Sequence, residues 1–410
     1  MIEALPAVAL VADEDPGWGG IGTYTGILAE GLRDLGVRVH LVLRGWERDG
    51  REQRDGIVVH RLTVPDPKWR RGTVAVVSRL FVARESLVFS ARAARVLARL
   101  GSEEGVVVAE APEFHAPGLV AALGSRVRPR RGPRVVVRLH APSYLTARLD
   151  RRPADADGRA QGLLEHVAVR SAAAVTAPST ALARSVTRHW RLSPNRVRVI
   201  PNPIDADRFA PGASSAERGG TILVVGRIEP GKGQDLLVEA LPAIRRIAPQ
   251  ARLRFVGADG TVVDGSSPLE RLRERARALG LEQDAFTVDG PVPREALPGI
   301  YREASVCAVP SRFESFGYTC AEAMACGRPV VAAAAGGLSE MVSNGRDGVL
   351  VAPGDPEPLA NAIGALLADA DARRRLGAAA RETIMRRYAS PVVAAAMAEA
   401  YVDAMRGRRR

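Results

Sequence analysis

Twice along this chain of 410 residues, a short apolar run breaks at a glycine-bearing loop and resumes as a helical pattern. The first instance is Ala7–Ala12, then Gly17-Trp18-Gly19-Gly20-Ile21-Gly22. Thr23–Leu35 follows, with Ile27, Leu28, Leu32 and Leu35 at helical spacing and Gly36 closing it. The second instance is Thr221–Val225, the loop Gly226–Gly233, and a helix over Asp235–Ile247. After each start, short apolar strands alternate with helical stretches. In the first half they are Val37–Leu43, Gly56–Leu62, Val106–Ala109, Val135–Leu139, Ala172–Thr176 and Val197–Ile200. In the second they are Arg252–Val256, Phe286–Val288, Val306–Val309 and Val330–Ala332. Apolar strands separated by helices bury both faces of a parallel sheet. The fold class expected is therefore α/β, with two Rossmann-like doubly wound domains over 1–204 and 205–388. The crossing is Pro201-Asn202-Pro203-Ile204-Asp205, stiffened by two prolines. A last helix is expected from about Pro391 to Met405, with Arg406–Arg410 as a basic tail.

Bulk properties remove several function classes. At 46% hydrophobic and 25% charged the chain reads as globular. No apolar stretch of about 18 residues suggests a membrane span. Met1-Ile2-Glu3-Ala4-Leu5-Pro6 lacks a basic leader segment, so no signal peptide is expected. Cys307, Cys320 and Cys326 are odd in number and unpaired by any motif, as in a reduced, cytoplasmic protein. No His or Cys cluster has metal-ligand spacing, so no metal is expected. The net charge of +12 concentrates in residues 1–205, with 31 Lys and Arg against 21 Asp and Glu. That surplus suggests an anionic partner or a membrane surface, or reflects an Arg-rich composition with no specific use. Between Val82 and Leu100, Arg84, Arg92, Arg95 and Arg99 share one helical stripe. It reads as an ordinary solvated face or as a peripheral contact for acidic lipid at the inner membrane face.

Two segments carry chemistry. Only two of the 58 basic residues are lysines, Lys68 and Lys232. Lys232 ends Gly226-Arg227-Ile228-Glu229-Pro230-Gly231-Lys232, where a compact ammonium and the Arg227 fork can grip a pyrophosphate from two sides. In Glu314-Ser315-Phe316-Gly317-Tyr318-Thr319-Cys320-Ala321-Glu322, the N–H groups of Ser315, Phe316 and Gly317 open a helix toward a phosphate. Glu322, expected about two turns into that helix, is placed to accept from ribose hydroxyls, and Glu314 to reach a sugar. The early glycine loop, with Gly20, is a weaker phosphate signal. A nicotinamide site would want an acid where the second strand ends in Leu43-Arg44-Gly45, which disfavours NAD. His140 follows the strand Val135–Leu139, where a donor could bond a sugar at the reacting centre. Glu110 and Glu113, in Glu110-Ala111-Pro112-Glu113-Phe114-His115, are acceptor-binding candidates or solvated loop charges.

These segments resemble the retaining glycosyltransferases of family 4, the bacterial group 1 enzymes with the GT-B fold. The resemblance covers nearly the whole chain. Beside the segments above, it includes Gly336-Gly337-Leu338-Ser339-Glu340, Asp347-Gly348-Val349-Leu350-Val351 and Gly354-Asp355. It implies two domains facing across a cleft, the second binding a nucleotide sugar and the first most of the acceptor. The C-terminal helix, within 389–410, would pack back on the first domain. Arg227 and Lys232 would bind the diphosphate, with backbone at Gly20, Phe316 and Gly317. Glu322 would hold the ribose and Glu314 the donor sugar. His140 would face that sugar, and Gly290-Pro291-Val292-Pro293-Arg294 would line the base through Val292 and Arg294. The chain departs from the family pattern at Asn202-Pro203-Ile204-Asp205, where a proline stiffens the hinge.

The reaction implied moves a sugar from a nucleoside diphosphate to a small-molecule or lipid-linked acceptor with retained configuration. It needs no cofactor and no protein nucleophile, and nucleic acid is not an expected partner. A pyridoxal-dependent phosphorylase would need a Schiff-base lysine, and Lys68 lies in a polar loop. An NADP oxidoreductase and a non-enzymatic basic scaffold are the remaining alternatives.

Overall fold

The computed structural model describes residues 5–45, 48–64, 80–127, 132–149, 155–212, 220–261, 265–281 and 285–407. Lys68 and the end of the C-terminal tail lie outside them. The chain divides into two compact units, Met1–Pro203 with Ser390–Arg410, and Ile204–Ala389.

In the first unit the elements are β1 (Ala7–Ala12), α1 (Gly19–Asp34), β2 (Arg38–Gly45), β3 (Gly50–Arg54), β4 (Ile57–Thr63) and α2 (Phe81–Glu103). They continue with β5 (Val108–Pro112), α3 (Leu119–Val127), β6 (Arg134–Arg138), α4 (Ser143–Leu149), α5 (Ala156–Ser171), β7 (Ala174–Ala177), α6 (Thr180–His189) and β8 (Val197–Val199). The sheet order is β3-β4-β2-β1-β5-β6-β7-β8, parallel except for β3. Strands β1 and β5 pair with Leu10 against Glu110, and the chain reverses its direction of sheet growth between them. Such a reversal opens a crevice beyond the strands' carboxyl ends.

The second unit runs β9 (Thr221–Val225), α7 (Gln234–Ile247), β10 (Arg252–Val256), α8 (Pro268–Ala278), β11 (Phe286–Val288), α9 (Leu297–Glu303) and β12 (Val306–Val309). It continues with α10 (Tyr318–Ala325), β13 (Val330–Ala333), α11 (Leu338–Met341), β14 (Val349–Val351), α12 (Pro356–Ala368) and α13 (Ala370–Arg387). Its order is β11-β10-β9-β12-β13-β14, all parallel, so the reversal falls between β9 and β12. Two apolar clusters fill the unit: Leu223, Cys307 and Val330 belong to one, Ile222, Val306 and Val331 to the other. Neighbouring residues of one strand thus serve opposite faces, as a covered parallel sheet requires. Helix α14 (Ser390–Met405) then packs on α1 and β6 of the first unit. Gly31 makes the α1 contact close, because a Cβ there would lie 2.7 Å from Ser390 Oγ.

Several details differ from the sequence reading. Gly19 to Gly22 belong to the first turn of α1 rather than to the loop. The edge strand β3, Gly-Arg-Glu-Gln-Arg, was not expected. It is exposed throughout and has no apolar alternation; antiparallel pairing to β4 through the turn at Asp55 and Gly56, both at positive φ, holds it. The basic stripe on α2 is divided. Arg92 pairs with Asp49 and Arg84 is half-buried, while Arg95 and Arg99 are exposed. No helix among the described residues is long and apolar enough to cross a membrane.

His40 on β2 and His60 on β4 are both buried, with Nδ1 of one 3.2 Å from Nε2 of the other. Only one of two facing ring nitrogens can carry the shared proton. Burial lowers both pKa values, His60 to about 4, from an ordinary 6.5. A depressed folded pKa means the unfolded chain binds more protons between these values. The stability is therefore full above pH 6.5 and is lost as pH falls toward 4. By pH 5 the loss from His60 is about 2 kcal/mol. Between pH 7.5 and pH 5, the wild-type melting temperature should fall more than that of His60→Leu; equal falls would show that the pair does not govern acid stability.

Candidate functional site

The loops that follow β9 and β12 flank the reversal point of the second unit, and both chemistry-bearing segments lie on them. Their backbones interlock. Arg312 N–H donates to Gly231 O at 2.9 Å, and the Arg312 fork takes both oxygens of Asp235 at 3.0 and 2.7 Å. Gly233 is left-handed at φ 71°, and a Cβ there would lie 2.3 Å from Pro310 O, so this crossing admits only glycine. Lys232 ends a short 3₁₀ turn, Pro230–Lys232. Its Nζ reaches Glu314 Oε1 at 2.7 Å, and Ser311 Oγ donates to the same oxygen at 2.9 Å. Burial opposes the ammonium, but the carboxylates of Glu314 and Glu229 outweigh it and raise the Lys232 pKa. Arg227 lies beside this pair with its side chain 71% exposed, within 3.2 Å of Glu229. Two cations and two carboxylates thus meet at the end of a parallel sheet.

Glu314 is held from a second side. Gly337 N–H donates to Glu314 O at 2.8 Å. Gly336, at φ 61°, passes so close that a Cβ would lie 2.1 Å from the same oxygen. Gly317, left-handed at φ 98°, caps α10. Ser315, Phe316 and Gly317 thus precede a helix whose first turn contains no acidic residue, and such an N-terminus favours a phosphate. Phe316 is buried, its ring packed against Tyr318 and Tyr388.

Glu322 differs from expectation. It stands in the second turn of an eight-residue helix and is buried rather than open to a ribose. Arg294 Nη2 lies 2.9 Å from Oε1, and Tyr301 OH donates to Oε2 at 2.9 Å. Burial raises the Glu322 pKa, and Arg294 and Tyr301 draw it partly back. Arg294, expected to line the base, is instead this carboxylate's counter-ion, with its guanidinium 5.2 Å from the Phe209 ring centroid. Val292 is half-buried against the core, and Gly290 O accepts from Gly257 N–H at 2.8 Å. Sequence reasoning missed Ser311 and Tyr301; neither lies in a motif, and only the fold brings them to the two glutamates.

In the first unit, Gly20 is exposed in the first turn of α1. Glu14 Oε2 accepts from Gly22 N–H at 3.1 Å in that same turn. His140 N–H meets both oxygens of Glu113 at 2.8 Å, and its ring stands edge-on to Tyr24 at 5.0 Å. Burial, and then the Arg138 charge, lower the His140 pKa well below its usual value and keep the ring neutral. The two acceptor-binding candidates require correction. Glu113 is fully buried, and burial pushes its pKa up to about 8. Glu110 is also buried, its oxygens taken by Tyr24 OH at 2.8 Å and Tyr401 OH at 2.9 Å. Glu110 holds the fold of the first unit from within β5, every residue of which is buried, and Glu113, just beyond it, does so through His140 N–H.

Known proteins share both the sequence and the fold. A model described as Glycosyltransferase Family 4 matches residues 18–208, and one described as Glycosyl transferases group 1 matches residues 206–383. The D-inositol 3-phosphate glycosyltransferase of Geodermatophilus obscurus is 41% identical over 240 residues, 54% of this chain and 52% of the relative. That of Xylanimonas cellulosilytica is 38% identical over 258 residues, 60% of each chain. The chain spans roughly half to three fifths of the length of these curated relatives. Sucrose-phosphate synthase from Thermosynechococcus elongatus superposes with a TM-score of 0.77 at 25% identity, over 98% of this chain and 100% of that one. Anabaena HepE in complex with UDP-glucose gives a TM-score of 0.71 at 22% identity, over 97% and 99%, a likeness of fold.

Proposed function

Because the chain belongs to the family 4, group 1 glycosyltransferases, we propose that it transfers a sugar from a nucleoside diphosphate to an acceptor hydroxyl with retained configuration. The observation that carries the reading is the Lys232–Glu314 ion pair at the reversal point between β9 and β12, with Arg227 exposed beside it. A ligand at such a point meets the ends of the strands and the α10 N-terminus together. Lys232 and Arg227 neutralise the diphosphate as the glycosidic C–O bond breaks and negative charge builds on the leaving phosphate. The acceptor oxygen bonds to the anomeric carbon on the same face, and its proton passes to the departing phosphate. Glu314, anchored by Lys232 and Ser311, orients the donor sugar. Glu322 receives the ribose when its hydroxyls replace Arg294 or Tyr301. The two cations supply the charge that a metal would, so the reading calls for no resident metal. The acceptor is proposed as a small molecule or a lipid-linked sugar, the latter supported by exposed Arg95 and Arg99 on α2.

Thermal shift with UDP, GDP and ADP tests the donor half. One nucleotide should raise the melting temperature of the wild type, and Lys232→Ala and Glu322→Ala should each remove most of that rise. A ligand present at 100 times its Kd adds about 2.7 kcal/mol, well within detection. If none of the three shifts the wild type, the two segments do not form a nucleotide site.

A further inference from the structure

We propose that Asp13 and His115 form a hydroxyl-binding dyad for a neutral polyol acceptor at the reversal point of the first unit. The inference rests on the glycosyltransferase reading and extends it to a pair that no motif marks. Asp13 follows β1 directly, and His115 follows β5 by three residues. These are the two strands between which the first sheet reverses, so the pair stands where an open parallel sheet presents its crevice. Asp13 Oδ2 lies 3.0 Å from His115 Nδ1. A carboxylate only accepts, so it places the proton on Nδ1 and leaves Nε2 as the working nitrogen. The imidazole remains 28% exposed, and its Nε2 has no hydrogen bond among the described residues.

The surroundings fix this geometry at some expense. His115 and Ala116 are both left-handed, at φ 58° and 49°, a conformation uncommon for non-glycine residues. Two in succession in the loop after β5 mark a place where the backbone is held against its preference, which is a feature of binding sites. Glu165, itself fully buried, accepts from His115 N–H at 3.3 Å and from Ser143 N–H at 2.9 Å. The turn is thereby tied to the start of α4. Ala116 N–H closes on Glu113 O at 2.8 Å. The Phe114 ring stacks on His115 with centroids 4.0 Å apart and restricts its rotation. Asp13 Oδ1 is buried with no hydrogen-bond partner among the described residues. A buried unpartnered carboxylate oxygen is uncommon outside functional sites.

Nε2 accepts from a ligand when the ring is neutral and donates when it is protonated. A hydroxyl is the ligand group that satisfies both states, whereas a phosphate oxygen suits only the second. Asp13 also presents a carboxylate beside the imidazole, with Oδ1 unpartnered among the described residues, which disfavours an anion here. His115 is therefore assigned direct contact with an acceptor hydroxyl, and Asp13 acts as the residue that positions it.

The probe is myo-inositol, a neutral ring polyol, with inorganic phosphate at matched ionic strength as the second arm. With six histidines in the chain, ring resonances are resolvable by NMR, and His115→Gln identifies its own signal. Myo-inositol should shift the His115 resonance saturably, and phosphate should not. Asp13→Asn should change the 15N signature of the His115 tautomer and weaken myo-inositol binding roughly tenfold, the scale of one charge-assisted hydrogen bond. Nucleotide thermal shifts should be unchanged in that variant, which also shows it folded. An unmoved His115 signal, a shift reproduced by phosphate, or wild-type affinity in Asp13→Asn would each overturn the dyad. A wild type that ignores all three nucleotides would instead refute the transferase reading, while polyol binding is read independently.

Discussion

Lys232→Ala should lower turnover by about 10²- to 10³-fold, the effect of removing one preorganised donor from a developing oxyanion. The ammonium is raised in pKa and fixed at 2.7 Å from Glu314, so it is a full charge in place before the reaction begins. Its loss removes that charge and also releases Glu314, which retains only the Ser311 hydroxyl. Lys232→Arg should not restore the rate. A planar, delocalised fork would stand in place of the compact point charge that Glu314 holds at 2.7 Å. Because Lys232 is half-buried on a loop, the fold should tolerate the change, and a preserved melting temperature separates the chemical loss from unfolding. Steady-state kinetics with saturating acceptor decides the matter. A Lys232→Ala enzyme within threefold of wild type would remove the cation from the mechanism, and a fully active Lys232→Arg would show that charge alone matters.

The sequence signals that survived are those written in contiguous residues. Strands β9, β10 and β12 have the bounds that their apolar runs suggest, because a buried parallel strand carries its burial in its own residues. β3 carries none, since a hairpin turn and a neighbouring strand form it from outside. The start of α1 was misplaced because Gly19, Gly20 and Gly22 favour loops, and packing of α1 against β2 and α14 overrides that preference. At the site, residue types were legible but partners were not. Lys232 and Glu314 were each identified as site residues, yet nothing local pairs residues 82 positions apart. Glu110 and Glu113 look like loop charges in a list of residues. Only the sheet shows that β5 is central and covered on both faces, with Tyr24 and Tyr401 waiting for one of them. Arg294 was assigned to the base for its position in a motif, whereas the buried charge on Glu322 claims it first.

Arg138→Ala should destabilise the first unit by about 3–5 kcal/mol, the usual effect of breaking a buried charged network from one side. Arg138 ends β6 with no exposed surface, and three elements depend on its guanidinium. Nη2 donates to Ile200 O at 2.8 Å and to Asn202 Oδ1 at 2.6 Å, which fixes the approach to the crossing. Its Cζ lies 4.8 Å from the centroid of the Tyr24 ring, whose hydroxyl holds Glu110. Burial raises the Glu110 pKa, and Arg138 is the main influence that lowers it again, so the two charges support each other. Tyr401 brings α14 into the same network through Glu110. In a unit of this size the loss should lower the melting temperature by roughly 10 °C. The network is imperfect, since Arg138 Nε has no partner among the described residues. Removing both charges with Arg138→Met and Glu110→Gln together should therefore cost less than the two single changes added, because neither variant then leaves a lone buried charge. A double-mutant cycle by chemical denaturation measures the difference. Additive losses would mean that Arg138 and Glu110 act separately.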